Sequence, residues 1–179
     1  MKTQVADLTF ELSIPYASIE KRIVEIAAQI TNDYSGSIPV MVGILNGSFL
    51  FVADLVKQIE IPIEVTFAKL ASYYGGTSTT RKIRDDFDLT IDIQGRHIIQ
   101  VEDIVDTGKT LNEFLPQLND QQPASLKIVA LLHKPDALQY PVTRDYLGFS
   151  VPDKFLLGYG LDYDGLARNL KEIYQLTGE

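Results

Sequence analysis

The chain has 179 residues, 45% of them apolar, with a net charge of −8 and a pI near 4.7. That is enough apolar content for one domain with a packed core, and the acidic balance without a basic tail or stripe argues against nucleic acid or an anionic membrane as partner. Cysteine is absent, which excludes disulfides, thiolate nucleophiles and Cys-ligated zinc and fits a reducing compartment. No long apolar run follows Met1 and none is long enough to span a bilayer, so a single cytoplasmic domain over 1–179 is expected.

Residues 8–14 read as a short strand, which Pro15 breaks. From Tyr16 to about Tyr34 the apolar residues Ile19, Ile23, Ile26, Ala27 and Ile30 recur at helical spacing, and Ser35-Gly36 ends the helix. Residues 38–45 form a near-continuous apolar run, as in a strand buried on both faces. Asn46-Gly47-Ser48 is a turn, and Phe49 to Ile59 reads as helix. Residues 61–71 alternate, with Ile61, Ile63, Val65 and Phe67 on one face of a strand. Residues 72–86 mix glycine, hydroxyl and basic residues without an apolar period, as a lid or an idle loop would. Leu89 to Ile93 predicts another short strand.

Residues 97–106 predict the central strand, and a helix runs from about 109 to before Asp120, with Pro116 kinking it or stopping it early. Residues 126–132, 146–151 and 155–160 read as strands, and 166–176 as a final helix or turn. Strands alternating with helices predict an α/β fold around a mostly parallel central sheet flanked by helices. Ligands sit beyond the carboxyl ends of such strands. Residues 45–47, 102–110 and 133–134 all lie at such ends.

The stretch Glu102-Asp103-Ile104-Val105-Asp106-Thr107-Gly108-Lys109-Thr110 carries the chemistry. Thr107 to Thr110 opens a helix, where unsatisfied backbone N–H groups hold phosphate. The spacing is not that of a Walker A loop. Glu102 and Asp103 are neighbours in a strand, so plain alternation sends them to opposite faces unless the strand ends or bulges there. Carboxylates suit magnesium and accept hydrogen bonds from vicinal ribose hydroxyls. Asp106 reads either as a helix N-cap or as a general base beside the bound anion.

Val101 to Thr110 resembles the phosphoribosyl-pyrophosphate motif of type I phosphoribosyltransferases, in the form found in the hypoxanthine/guanine enzymes. Other segments agree in order and spacing over roughly 38–174: Leu45-Asn46-Gly47-Ser48 is similar to the family's pyrophosphate loop, Ser72-Tyr73 to the start of its mobile lid. Lys134, Val151 to Leu156, Gly158-Tyr159, Leu161-Asp162-Tyr163 and Arg168 are similar to its purine-site segment. The resemblance implies a core over about 36–150, with a small hood from about 1–15 and 150–179. It implies transfer of 5-phosphoribosyl from phosphoribosyl pyrophosphate to N9 of hypoxanthine or guanine, with Mg2+ as cofactor. A homodimer or homotetramer is expected on the same ground.

By the same resemblance, Asp106 is the base at purine N7, and Thr107, Gly108, Lys109 and Thr110 hold the 5′-phosphate. Glu102 and Asp103 face the ribose hydroxyls and the metal, with Ile104 among the substrate-binding positions. Lys134 donates to purine O6, Phe155 stacks on the base, and the backbone of Leu156 reads its edge. Asp162 touches the base region and a second magnesium, and Arg168 binds pyrophosphate. Leu45, Asn46 and Gly47 supply the pyrophosphate loop, which in the family contains a non-proline cis peptide. The departure is Asn46, where that loop commonly carries a basic residue; weaker pyrophosphate binding or greater reliance on Arg168 and magnesium follows. His133 is expected at the surface. The alternative readings are a xanthine-preferring enzyme and a non-catalytic nucleotide-binding regulator of the same fold.

Overall fold

The computed structural model describes residues 2–69, 89 and 91–177. Ser72, Tyr73 and the segment 72–86 predicted as a lid or idle loop lie outside them.

The central sheet has five parallel strands: β3 (Val40–Leu45), β4 (Glu64–Lys69), β5 (His97–Val105), β6 (Ser125–His133) and β7 (Tyr146–Ser150), in the order β4-β3-β5-β6-β7. Helix α1 (Tyr16–Asp33) buries the five apolar residues named above, and with Phe51, Val52 and Leu55 of α2 (Phe49–Val56) covers one face at Met41, Ile99, Val101 and Leu131. Helix α3 (Lys109–Asn119) covers the other face, where Phe114 and Leu118 meet Val40, Val42 and Ile98, and Leu111 meets Ile128 and Ala130. Alternate residues of β3 thus go to opposite cores, which is why its sequence is apolar throughout. Sandwiching the sheet this way places the β3, β5 and β6 carboxyl ends on one rim.

A second, antiparallel sheet forms the hood, in the order β1-β2-β9-β8: β1 (Lys2–Val5), β2 (Leu8–Ile14), β8 (Leu156–Leu157) and β9 (Ile173–Leu176). The hairpin strand β1 carries no apolar run and went unseen in the sequence. β9 lies where a helix or turn was expected: it pairs with β2 on one side and β8 on the other, so tertiary pairing overrides its weak local pattern. The 155–160 strand shrinks to Leu156–Leu157, because Gly158, Tyr159 and Gly160 all take positive φ (92°, 49° and 100°).

Among the described residues of 89–93 there is no strand; Ile93 is instead fully buried with Leu89 and Ile91 against the α3-side core. Helix α2 stops at Val56, short of Ile59. Helix α3 continues through Pro116, and the proline carbonyl accepts the Asp120 N–H at 2.9 Å. On the edge strand β4 the alternation is present, but Thr66 and Ala68 are the buried residues while Val65 and Phe67 are 40% and 43% exposed. No helix among the described residues is long and apolar enough to cross a membrane.

Candidate active site

The site residues gather on the rim where β3, β5 and β6 end, beneath the hood. Strand β5 ends at Val105, whose carbonyl accepts the Lys134 N–H at 3.0 Å, so Asp106 and Lys134 leave their strands side by side. The Lys134 ammonium donates to Asp106 Oδ2 at 3.0 Å and to Asp153 Oδ1 at 3.4 Å. Lys134 is only 7% exposed, and a buried ammonium needs such partners.

The turn 107–110 follows directly. Gly108 (φ 79°) is the N-cap of α3, and its carbonyl accepts the Asn112 N–H at 3.0 Å. A Cβ there would stand 2.7 Å from the Tyr140 carbonyl oxygen, so the close approach and the positive φ both call for glycine. The Thr107 carbonyl accepts the N–H groups of Gln139 (2.9 Å) and Tyr140 (3.1 Å), which braces the turn from the following loop. Thr107 Oγ1 accepts the Lys109 N–H at 3.3 Å. The result is a helix N-terminus aimed at the rim, the local geometry that takes a phosphate. The Lys109 side chain points away to Glu113 at 3.9 Å and is exposed.

The adjacent carboxylates part company, as alternation predicts. Glu102 is 4% exposed and accepts from Gln100 Nε2 at 2.7 Å, on the sheet face that carries Ile98. Burial, then the neighbouring Asp103 charge, push its carboxyl up to about 8, against the Gln100 hydrogen bond. Asp103 sits on the other side against Gly47, where a Cβ would come within 1.6 Å of Oδ2. Burial pushes it up to about 6, while N–H groups of Ile104 and its own backbone and the Arg168 charge oppose that.

The loop after β3 has a cis peptide between Leu45 and Asn46. Ser48 Oγ donates to the Ile44 carbonyl at 2.6 Å and is fully buried. The loop is clamped between Asp103 and the hood, since a Cβ on Gly160 would lie 2.0 Å from the Gly47 carbonyl oxygen. From the hood, Arg168 binds Asp162 Oδ1 at 2.6 Å and donates to the Gly160 carbonyl at 2.7 Å. The second Asp162 oxygen accepts the Gly165 N–H at 2.7 Å. Phe155, 42% exposed, lies 6.2 Å from the Phe10 ring and edge-on to Tyr163 at 5.8 Å. Leu156 is buried and pairs with Gln175.

His133 is the correction: it is 3% exposed rather than at the surface. Its Nε2 accepts from Arg144 and its carbonyl accepts the Val151 N–H at 2.8 Å. Burial, then the Arg144 charge, hold its imidazole below the usual range. Two residues escaped the sequence reading, and Asp153 stood in the purine-site segment without a role of its own. Gln100, a polar residue two positions before Glu102 in an apolar run, carried a signal. Gly160 carried none, because its need for glycine comes from a loop more than a hundred residues earlier.

Comparison with known proteins agrees with this geometry. The family model for the phosphoribosyl transferase domain matches residues 15–164. The hypoxanthine phosphoribosyltransferase of Salmonella typhimurium is 45% identical, with 90% of this chain and 92% of that protein covered. The hypoxanthine-guanine phosphoribosyltransferase of Streptococcus pneumoniae is 42% identical, with coverage of 93% and 92%. A crystal structure of a hypoxanthine-guanine phosphoribosyltransferase from Bacillus anthracis superposes with a TM-score of 0.85 at 34% identity, covering 93% of this chain and 98% of that one. The chain belongs to the phosphoribosyltransferase family, in its hypoxanthine/guanine branch.

Proposed function

We propose that the chain moves the 5-phosphoribosyl group of phosphoribosyl pyrophosphate to N9 of hypoxanthine or guanine, giving the nucleoside monophosphate and pyrophosphate. The observation that carries this reading is the Lys134–Asp106 pair at 3.0 Å, set directly before the phosphate turn. A cation and a carboxylate side by side suit the two polar edges of a 6-oxopurine. Lys134 donates to O6, and Asp106 accepts the proton at N7. A 6-amino group would set a donor against the ammonium donor at that position, which sets the preference against adenine.

Thr107, Gly108, Lys109 and Thr110 hold the 5′-phosphate at the α3 N-terminus. Leu45, Asn46, Gly47 and Arg168 hold the pyrophosphate, and Phe155 and the Leu156 backbone take the base. Ile104 lines the sugar. Fixing both reactants on one rim supplies the orientation that a displacement at the ribose anomeric carbon requires. Asp103 at the sugar favours positive charge developing there.

Asp103 and Asp162 are hard oxygen donors that suit magnesium, and burial of the Asp103 carboxylate is a cost that a cation offsets. Among the described residues no cluster of three ligating side chains exists, so substrate oxygens and water would have to complete the shell. Asp103 and Asp162 would hold the ion, whose positive charge would offset the charge of the leaving pyrophosphate. Glu102, hydrogen-bonded to Gln100 on the opposite face, keeps its proton near neutral pH and leaves Asp103 as the charged carboxylate of the pair. Solvent-facing Val65 and Phe67 on an edge strand support a homo-oligomer. The test is turnover of hypoxanthine, guanine, xanthine and uracil during a magnesium titration; turnover of xanthine alone, or of none, overturns the reading.

A further inference from the structure

The Lys134 ammonium is held by two carboxylates, and the reaction as described uses only one of them. Asp106 Oδ2 lies at 3.0 Å and Asp153 Oδ1 at 3.4 Å. An ammonium has three N–H donors, so two are occupied and one remains for a ligand. Asp153 is itself largely exposed, and it stands in a turn with a fixed base. The Val151 N–H is bonded to the His133 carbonyl at 2.8 Å, and the Lys154 N–H to the Pro152 carbonyl at 2.8 Å. The turn is therefore tied to the end of β6, from which Lys134 leaves, and it runs directly into Phe155.

We propose that Asp153 is a positioning residue for the purine: it keeps a counter-charge on Lys134 while the ammonium turns from Asp106 to the purine carbonyl. The inference rests on the functional reading above. In the free chain the lysine bridges the two carboxylates. When a 6-oxopurine enters, Asp106 is needed at N7 and Lys134 at O6, so the pair between them must loosen. A buried ammonium that loses its only anion carries a desolvation cost, and an exchange from one anion to a neutral carbonyl does not offset it. Asp153 removes that cost by staying in place through the exchange. It also couples O6 recognition to stacking, because Asp153 and Phe155 share one short turn.

The test is steady-state kinetics and inosine monophosphate binding for Asp153→Asn and Asp153→Glu beside the unaltered chain. The expected result for Asp153→Asn is a KM for hypoxanthine raised about tenfold, the loss of one charge-assisted contact, with the KM for phosphoribosyl pyrophosphate moved less than about twofold. The Kd for inosine monophosphate rises in parallel, and Asp153→Glu recovers most of the loss. A purely structural role would raise both KM values together and would not be rescued by glutamate, and that outcome overturns the proposal. Unchanged hypoxanthine KM in an active Asp153→Asn chain overturns it too, while leaving the transferase reading intact. An unaltered chain inactive on every base overturns both.

Discussion

The carboxylate of Asp103 occupies the space that a side chain on residue 47 would need. A Cβ on Gly47 would meet Asp103 Oδ2 at 1.6 Å. The obstructing atom is the end of a side chain, so Gly47→Ala displaces the carboxylate rather than the backbone. We expect kcat/KM for phosphoribosyl pyrophosphate to fall about 100-fold, as a displacement on the order of 1 Å in a catalytic constellation does. The melting temperature should move little. A large loss of Tm with normal kinetics per folded molecule would contradict this.

Asp106→Asn keeps the size of the side chain and removes the proton acceptor. Turnover should drop by about 10²- to 10⁴-fold, the range for a general base. The KM for phosphoribosyl pyrophosphate should stay close to its original value, because the turn 107–110 is braced by Gln139 and Tyr140 and not by Asp106. Full activity in this variant would remove the assigned role.

Asn46→Lys restores a positive charge to the pyrophosphate loop. We expect the KM for phosphoribosyl pyrophosphate to fall about three- to tenfold, the worth of one charge-assisted contact. The gain should shrink at high ionic strength because exposed charges are screened. An unaltered KM at low and high salt alike would show that Arg168 and the backbone already saturate that subsite.

Glu102 makes stability depend on pH. Its carboxyl stands at about 8 in the folded chain against 4.5 when free. The folded state therefore holds the proton more tightly than the unfolded one. The associated stability is fully present below about 4.5 and is lost as pH rises through about 8, on the order of 1 kcal/mol per pH unit across that window. Urea midpoints measured from about pH 5 to about pH 8 should decline, and Glu102→Gln should flatten the decline. A slope equal in both chains would mean that another group carries it.

Tyr159 fastens the hood to the core. Its ring is buried, and its hydroxyl donates to Asp54 Oδ2 of α2 at 2.6 Å. Tyr159→Phe should cost about 1–2 kcal/mol in chemical denaturation, since the Asp54 carboxylate loses one donor but keeps Lys57 at 2.7 Å. Catalytic effects should be small by comparison.

Much of the β5–α3 rim was legible because it is written contiguously. A buried strand, three carboxylates, a glycine turn and the start of a helix occupy fourteen consecutive residues, 97–110, and each has a local physical reason. The parallel sheet was legible for the same cause: strands buried on both faces are apolar throughout. The hood was not. Strand β9 has no period of its own and exists because β2 and β8 offer it edges. The buried His133 was misread because a polar residue at a strand end looks solvated until Arg144 is seen against it. Leu89 to Ile93 misled in the opposite direction, since its apolar residues fill the α3-side core without joining the sheet.

In the hood, β9 lies between β2 from the first residues of the chain and β8 from the later ones. The two halves of the site therefore differ in how far along the chain their parts lie. The turn after β5 is braced from the loop after β6, at Gln139 and Tyr140. The seat of Phe155, against Phe10 and beside the Leu156–Gln175 pairing, needs residue 10 and residue 175 together. Non-local pairings of that kind form slowly. The proposed base site is thus the part of the molecule that depends on segments from near both ends of the chain meeting, and the turn after β5 is not.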